Sequence, residues 1–88
     1  MINNAGTATI GMCGDSNPWN FERTLSCIYV NTFPLPIITK IVLPKILEWK
    51  VKGKKGAVIT VSSVAGWDTF YWGMSVYSAT KGFNLRFS

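Results

Sequence analysis

Histidine is absent from this chain, and four acidic residues stand against nine lysines and arginines. Imidazole is the side chain whose ordinary titration range spans neutral pH, so proton transfer here must fall to another group. Cys13 and Cys27 are the two cysteines, and no C-x-x-C spacing occurs. That excludes a disulfide framework and a thiolate zinc site, and free thiols in a reducing, intracellular compartment are the expectation. No basic segment followed by an apolar run and a small-residue cleavage site opens the chain, so nothing reads as a signal peptide. The charge-free segment 25–39 is interrupted by Asn31, Pro34 and Pro36. A membrane span needs about 20 apolar residues, so a buried or interface helix is the better reading. Internal repeats and low-complexity segments are also missing.

What is present is apolar material in excess. The 88 residues are 48% hydrophobic, with four tryptophans, yet a domain of this size buries only about 60 to 65% of the surface its unfolded chain exposes. The mismatch suggests a piece of something larger, or a chain that pairs with another. The net charge of +5 owes much to Lys45, Lys50, Lys52, Lys54 and Lys55. Such a cluster can bind phosphate or nucleic acid. Here Gly53 and Gly56 mark it as a loop, and no aromatic residue is interleaved within "KVKGKKG", so a solvated turn is the stronger reading and no nucleic-acid partner is expected.

"MINNAG" reads as the C-terminal end of a short strand running into a turn. Residues 7–16 read as a loop, and Asn17-Pro18 as a helix start with Asn17 capping and proline in the first turn. Apolar residues from Trp19 to about Lys50 fall mostly three or four apart, which is helical spacing. Pro34 and Pro36 predict a kink or break between Asn31 and Ile37, since an interior proline removes a hydrogen bond and clashes with the preceding turn; Pro44 predicts a further irregularity. "GAVITVSS", residues 56–63, is the strongest strand, and its unbroken apolar run predicts cover on both faces. An aromatic loop follows over 64–74, then a second helix over 75–87 with Ser75 as its cap. Strand, helix, strand, helix with long crossovers argues for parallel βαβ units.

In such a sheet, ligands bind at the C-terminal ends of the strands. The NNAG turn, the Ser62-Ser63 pair, the aromatic loop and the start of the last helix share that edge, while the lysine loop falls on the opposite one. Tyr77 and Lys81 are four apart, so a helix places both side chains on one face. An ammonium beside a phenol favours the phenolate, which suits the pair to general acid or base work. Alone, Y-x-x-x-K is a weak signal, and a turn-forming role for Asn3 and Asn4 or a capping role for Ser62 and Ser63 is the simpler account of each residue singly. Their joint order is the specific feature: NNAG after a strand, Asn31 in the intervening helix, "ITVSS" ending the next strand, "YSATK" opening the next helix.

That order, across essentially all 88 residues, resembles the short-chain dehydrogenase/reductase family. The resemblance implies an α/β fold: part of a Rossmann-like, doubly wound parallel sheet, with about two strands and two long helices of the whole. It implies that Tyr77 protonates a carbonyl as hydride arrives, or takes the proton in reverse. Lys81 would favour ionised Tyr77 and hydrogen-bond the ribose beside the nicotinamide, and Ser63, with Ser62 as competitor, would polarise the substrate oxygen. Asn31 would position a water in the proton relay to the lysine. Asn4, Ala5 and Gly6 would line the adenosine side of the cofactor, with Asn3 tying the strand to its neighbour. "VNTFPLPIITKIVLP" looks like the branch of 17-beta-hydroxysteroid dehydrogenases and 3-oxoacyl-CoA reductases. That branch implies NADP(H) over NAD(H), an apolar carbonyl or alcohol of steroid or acyl type to suit Trp67, Phe70, Tyr71 and Trp72, and the endoplasmic reticulum, with the cytoplasm as alternative. The family's TGxxxGxG diphosphate turn does not occur in the 88 residues, so the chain is read as the central fragment of one dehydrogenase domain, lacking the cofactor-phosphate part before it and the part after it. The rival reading is a truncated, inactive chain that acts through a homodimer formed by its two long helices.

Overall fold

The computed structural model describes residues 1–11, 16–68 and 72–88, with the side chains of Pro18 and Trp19 left aside. Strand β1 (Ile2–Asn3) leads to helices α1 (Pro18–Thr32) and α2 (Pro34–Val51), strand β2 (Ile59–Thr60), a 3-10 turn (Val64–Gly66) and helix α3 (Ser75–Phe87). The two strands are parallel, with Ile2 opposite Ile59 and Asn3 opposite Thr60. Backbone hydrogen bonds extend the pairing, from Ile59 N–H to Met1 at 2.9 Å and from Val61 N–H to Asn3 at 2.8 Å. The result is the α/β arrangement expected from sequence, a partial Rossmann-like sheet with two long helical stretches.

Pro18 opens α1, as its fixed φ suits a first helical position. The expected break falls at Phe33, between Thr32 and Pro34. Proline nitrogens cannot donate, so Pro34 and Pro36 leave the carbonyls four residues earlier, at Val30 and Thr32, without their helical donors. Pro44, expected to mark an irregularity, lies inside α2 without ending it. The break is mild enough that the helical run Asn20–Val51 is, by length and composition, able to cross a membrane, which the charge-free segment 25–39 alone is not. Glycine then stops α2: Gly53 takes φ +71°, its N–H reaches Lys50 at 3.0 Å and the next N–H, of Lys54, reaches back to Trp49 at 2.8 Å. Those two bonds form a Schellman cap. Alanine at 53 meets no neighbour but must hold a left-handed φ, so Gly53→Ala is expected to lower stability by about 1 kcal/mol in a denaturant titration.

Two expectations are corrected. Ser75 is the first residue of α3 rather than its cap; Met74 holds the cap position, with no side-chain hydrogen bond. Strand β2 is not covered on both faces: Ile2, Ile59 and Val61 are exposed while Asn3 and Thr60 are half-buried. The register puts Ile2 and Ile59 on one face of the two-stranded sheet, and nothing in the described residues packs over it.

The core is correspondingly small and polar. Among the described residues, Cys27, Leu35 and Ala65 are the buried apolar ones, against five buried polar ones: Thr9, Asn31, Thr80, Lys81 and Asn84. Cys27 is a free thiol; Cys13 lies outside the described residues. The molecule measures 54 × 24 × 14 Å with a radius of gyration of 15.7 Å, where a compact domain of this length has about 12 Å. Its accessible surface is 6760 Å², against about 5,200 Å² for a compact monomer of the same mass.

Candidate active site

The buried polar residues converge where α3 crosses α1 beneath the loop that follows β1. Tyr77, Thr80, Lys81 and Asn84 stand on one face of α3 because they are three or four residues apart. Asn31 meets them from the last turn of α1. Its side chain is 3% exposed and spans three segments. Oδ1 accepts from Thr7 N–H at 2.8 Å, while Nδ2 donates to the Thr7 carbonyl at 2.9 Å, to Thr80 Oγ1 at 2.9 Å and to Cys27 Sγ at 3.4 Å. Thr80 in turn donates to the Tyr77 carbonyl at 2.8 Å. One amide thus joins the NNAG loop, the α1 terminus and the Tyr-Lys helix.

Lys81 is 5% exposed. Its ammonium donates to the Val61 carbonyl at 3.4 Å and lies 5.8 Å from the centroid of the Tyr77 ring, within cation–π range. A buried ammonium has three protons to place and is costly when under-paired. One long hydrogen bond and a ring face leave it capacity for acceptors from a ligand. The loop over it must be thin. A Cβ at Gly6 would stand 3.2 Å from Asn31 Oδ1 and 3.3 Å from Lys81 Nζ, so glycine lets the backbone pass directly above both polar groups.

The strand end is tied to the same helix. Ser62 Oγ donates to the Lys81 carbonyl at 2.7 Å. Ser63 Oγ accepts from Ala65 N–H at 3.2 Å and caps the 3-10 turn. Ser62 has committed its proton to the backbone, whereas Ser63 acts there as acceptor and keeps its proton to donate. An open pocket of about 300 Å³ lies between these segments, lined by Asn4, Gly6, Thr7 and Ala8 from the first loop, Val61 and Ser62 from the strand end, and Tyr77 and Lys81 from α3.

Of the sequence candidates, the fold gathers Asn4, Gly6, Ser62, Tyr77 and Lys81 around that pocket, while Asn31 lines the cavity on the side of α2 and is joined to the pocket through its bonds to Thr7. Ala5 also lines the cavity on the side of α2, and Ser63 stands next to the pocket without lining it. Trp67 and Trp72 are both 83% exposed; Phe70 and Tyr71 lie outside the described residues. Thr80, Asn84 and the Thr7 backbone were missed. Polar residues at the third and seventh positions after Tyr77 were the available signal, since they extend the Tyr77 face of α3.

A family model for the short-chain dehydrogenases matches residues 1–88, the whole chain, and the chain belongs to that family. Its members are oxidoreductases that bind NAD(H) or NADP(H). Among curated proteins, none matches the chain.

Proposed function

We propose that the chain carries the proton-transfer half of an NADP(H)-dependent oxidoreductase that interconverts a carbonyl and a secondary alcohol on a lipid-like substrate, steroid or 3-oxoacyl. The carrying observation is the buried Lys81 ammonium 5.8 Å from the Tyr77 ring at the wall of an open pocket on the ligand edge of the sheet. The residues fit one half of the dinucleotide. Lys81 has protons for ribose hydroxyls, and Gly6 provides a backbone surface that a side chain would fill. Bound there, the nicotinamide supplies or accepts the hydride.

The chain's own groups handle the proton and the oxygen. The Tyr77 hydroxyl donates to the carbonyl oxygen as it becomes an alkoxide, or accepts from the alcohol in reverse. Lys81 stabilises the phenolate left behind. Asn31 holds α3 against the first loop so that Tyr77 and Lys81 share one wall. The Ser63 hydroxyl, with its proton uncommitted, donates to the same substrate oxygen. Ser63→Ala is then expected to lower kcat roughly 100-fold, as loss of one oxyanion donor does, whereas Ser62→Ala loses a backbone tie worth about 1 kcal/mol with kcat nearly kept. The reverse pattern in steady-state kinetics transfers the role to Ser62, which lines the pocket.

NADP(H) over NAD(H), the lipid-like substrate and residence at the endoplasmic reticulum rest on the branch-like "VNTFPLPIITKIVLP" segment; the exposed Trp67 and Trp72 suit an apolar substrate. Placement within a larger dehydrogenase domain is supported by the open Ile2–Ile59 face and by Asn3, whose buried Nδ2 has no partner among the described residues. An unpaired buried amide costs about 1–3 kcal/mol, and a further strand would satisfy it.

A second reading is favoured by the surface: Ile37, Ile38, Ile41, Leu43, Leu47 and Trp49 of α2 are all exposed. In it the chain is catalytically inactive and acts through helix-mediated dimerisation. Sedimentation of the 88-residue chain with an NADPH titration separates the two. A dimer that gains no activity when joined to the rest of a dehydrogenase domain supports the second reading, and activity regained on joining contradicts it; micromolar NADPH affinity of the 88 residues alone contradicts the reading of the chain as a fragment.

A further inference from the structure

Asn84 is 4% exposed, lies one turn beyond Lys81, and belongs to no motif that marks the chain. With its amide nitrogen turned inward, it donates to the Asn31 carbonyl at 2.7 Å and to the Thr80 carbonyl at 3.3 Å. The opposite orientation would set the amide oxygen against two carbonyl acceptors, so the network decides which way the group points. Asn31 is therefore gripped twice by α3: Thr80 takes its side chain at 2.9 Å, and Asn84 takes its backbone.

The grip falls at a weak point. Pro34 and Pro36 withdraw the donors that the Val30 and Thr32 carbonyls would have in a continuous helix, so the backbone on either side of Asn31 is short of helical hydrogen bonds. The Asn31 carbonyl lies between those two, and the Asn84 donor ties it to α3 from outside the helix. The same bond sets the height of α3 against α1, and Lys81 is a rigid turn away on α3.

We propose that Asn84 is a positioning residue for the Tyr77–Lys81 pair, holding α3 in the register that buries the Lys81 ammonium between the Tyr77 ring, the Val61 carbonyl and Gly6. The inference rests on the proton-transfer reading of that pair. It also accounts for an asparagine at a buried helix position that would otherwise suit an aliphatic residue: a side chain without an N–H cannot reach across to the broken helix.

The test uses the complete protein with Asn84→Asp and Asn84→Leu. Aspartate keeps the size and loses the donor. Leucine removes the polar group, and the neighbouring cavity of about 130 Å³, lined by Val30, Leu35 and Ile38 among others, has room for its extra volume. Two readouts are taken at a temperature where each variant is folded. Acylation of Lys81 by an amine-reactive reagent, followed by mass spectrometry, is expected to speed up about tenfold, while the already exposed Lys52 and Lys54 react as before. Turnover is expected to show kcat lowered about tenfold with KM little changed, the signature of a lost interaction at the reacting groups rather than of lost binding.

Unchanged Lys81 protection in a folded variant overturns the proposal, as does a loss that appears in KM alone. Tyr77→Phe is run alongside. If it retains full turnover, the proton-transfer reading itself has failed; if it is inactive while both Asn84 variants match wild type, only the role of Asn84 has failed.

Discussion

Tyr77→Phe is expected to reduce ketone turnover by roughly 1,000-fold, within the range of about 100 to 10,000 that a positioned general acid contributes, while leaving cofactor binding nearly intact. Phenylalanine keeps the ring whose face the Lys81 ammonium approaches at 5.8 Å, so the lysine retains its neighbour and its burial. What disappears is the hydroxyl proton. The substrate oxygen would then develop alkoxide charge with a serine hydroxyl beside it and no acid to neutralise it, and histidine, the usual substitute, is absent from the chain. Steady-state kinetics together with a fluorescence titration of NADPH separates the chemical step from binding. Weakened NADPH binding with kcat preserved would mean that the ring serves the cofactor and the hydroxyl serves nothing.

Gly66→Ala is expected to be the most destabilising alanine substitution among the described glycines. A Cβ at residue 66 would stand 2.6 Å from the Lys81 carbonyl carbon, 2.7 Å from its oxygen and 2.9 Å from the Gly82 nitrogen. These are backbone atoms of a helix and cannot swing aside. Either α3 moves away from the 3-10 turn or the turn unwinds, and overpacking of this kind costs about 3 kcal/mol. For a domain of this size that corresponds to a fall in Tm of more than about 10 °C. The displacement falls on Lys81, so turnover should drop with stability. Gly82→Ala is the control. Its Cβ would meet the Gly66 carbonyl at 3.5 Å, an ordinary contact, and alanine is the better helix former by about 1 kcal/mol, so stability is expected to hold or rise. Thermal unfolding of the two variants side by side checks the asymmetry.

Much of the site was legible because its parts are local. Tyr77 and Lys81 sit on a helix whose bounds, 75–87, follow from sequence, and the parallel pairing of the NNAG strand with the ITV strand brings two loop ends to one edge whatever the details beyond. The helix break next to Asn31 was legible for the same reason, since proline acts on its own turn. What stayed hidden depends on neighbours distant in sequence. The unbroken apolar run of residues 57–59 and 61 predicts two covered faces, but cover is supplied by other segments, and the described residues supply it to one face. Ser75 has the chemistry of a cap, yet the chain enters α3 one residue earlier, at Met74. Asn31 is marked in sequence by its place in the motif order, but that its side chain joins Thr7, Thr80 and Cys27, partners 24, 49 and 4 residues away, emerges only from the fold. Thr80 and Asn84 carry no motif, and their meaning emerges only once α3 lies across the broken end of α1.

The proton-transfer pair and the pocket beside it make one direct demand. When the complete protein is incubated with NADPH and a bulky apolar ketone, absorbance should show NADPH consumed in proportion to the secondary alcohol formed, and Tyr77→Phe should stop both. A protein that binds NADPH and the ketone yet consumes neither, or one whose Tyr77→Phe variant turns over as fast as wild type, would contradict the account.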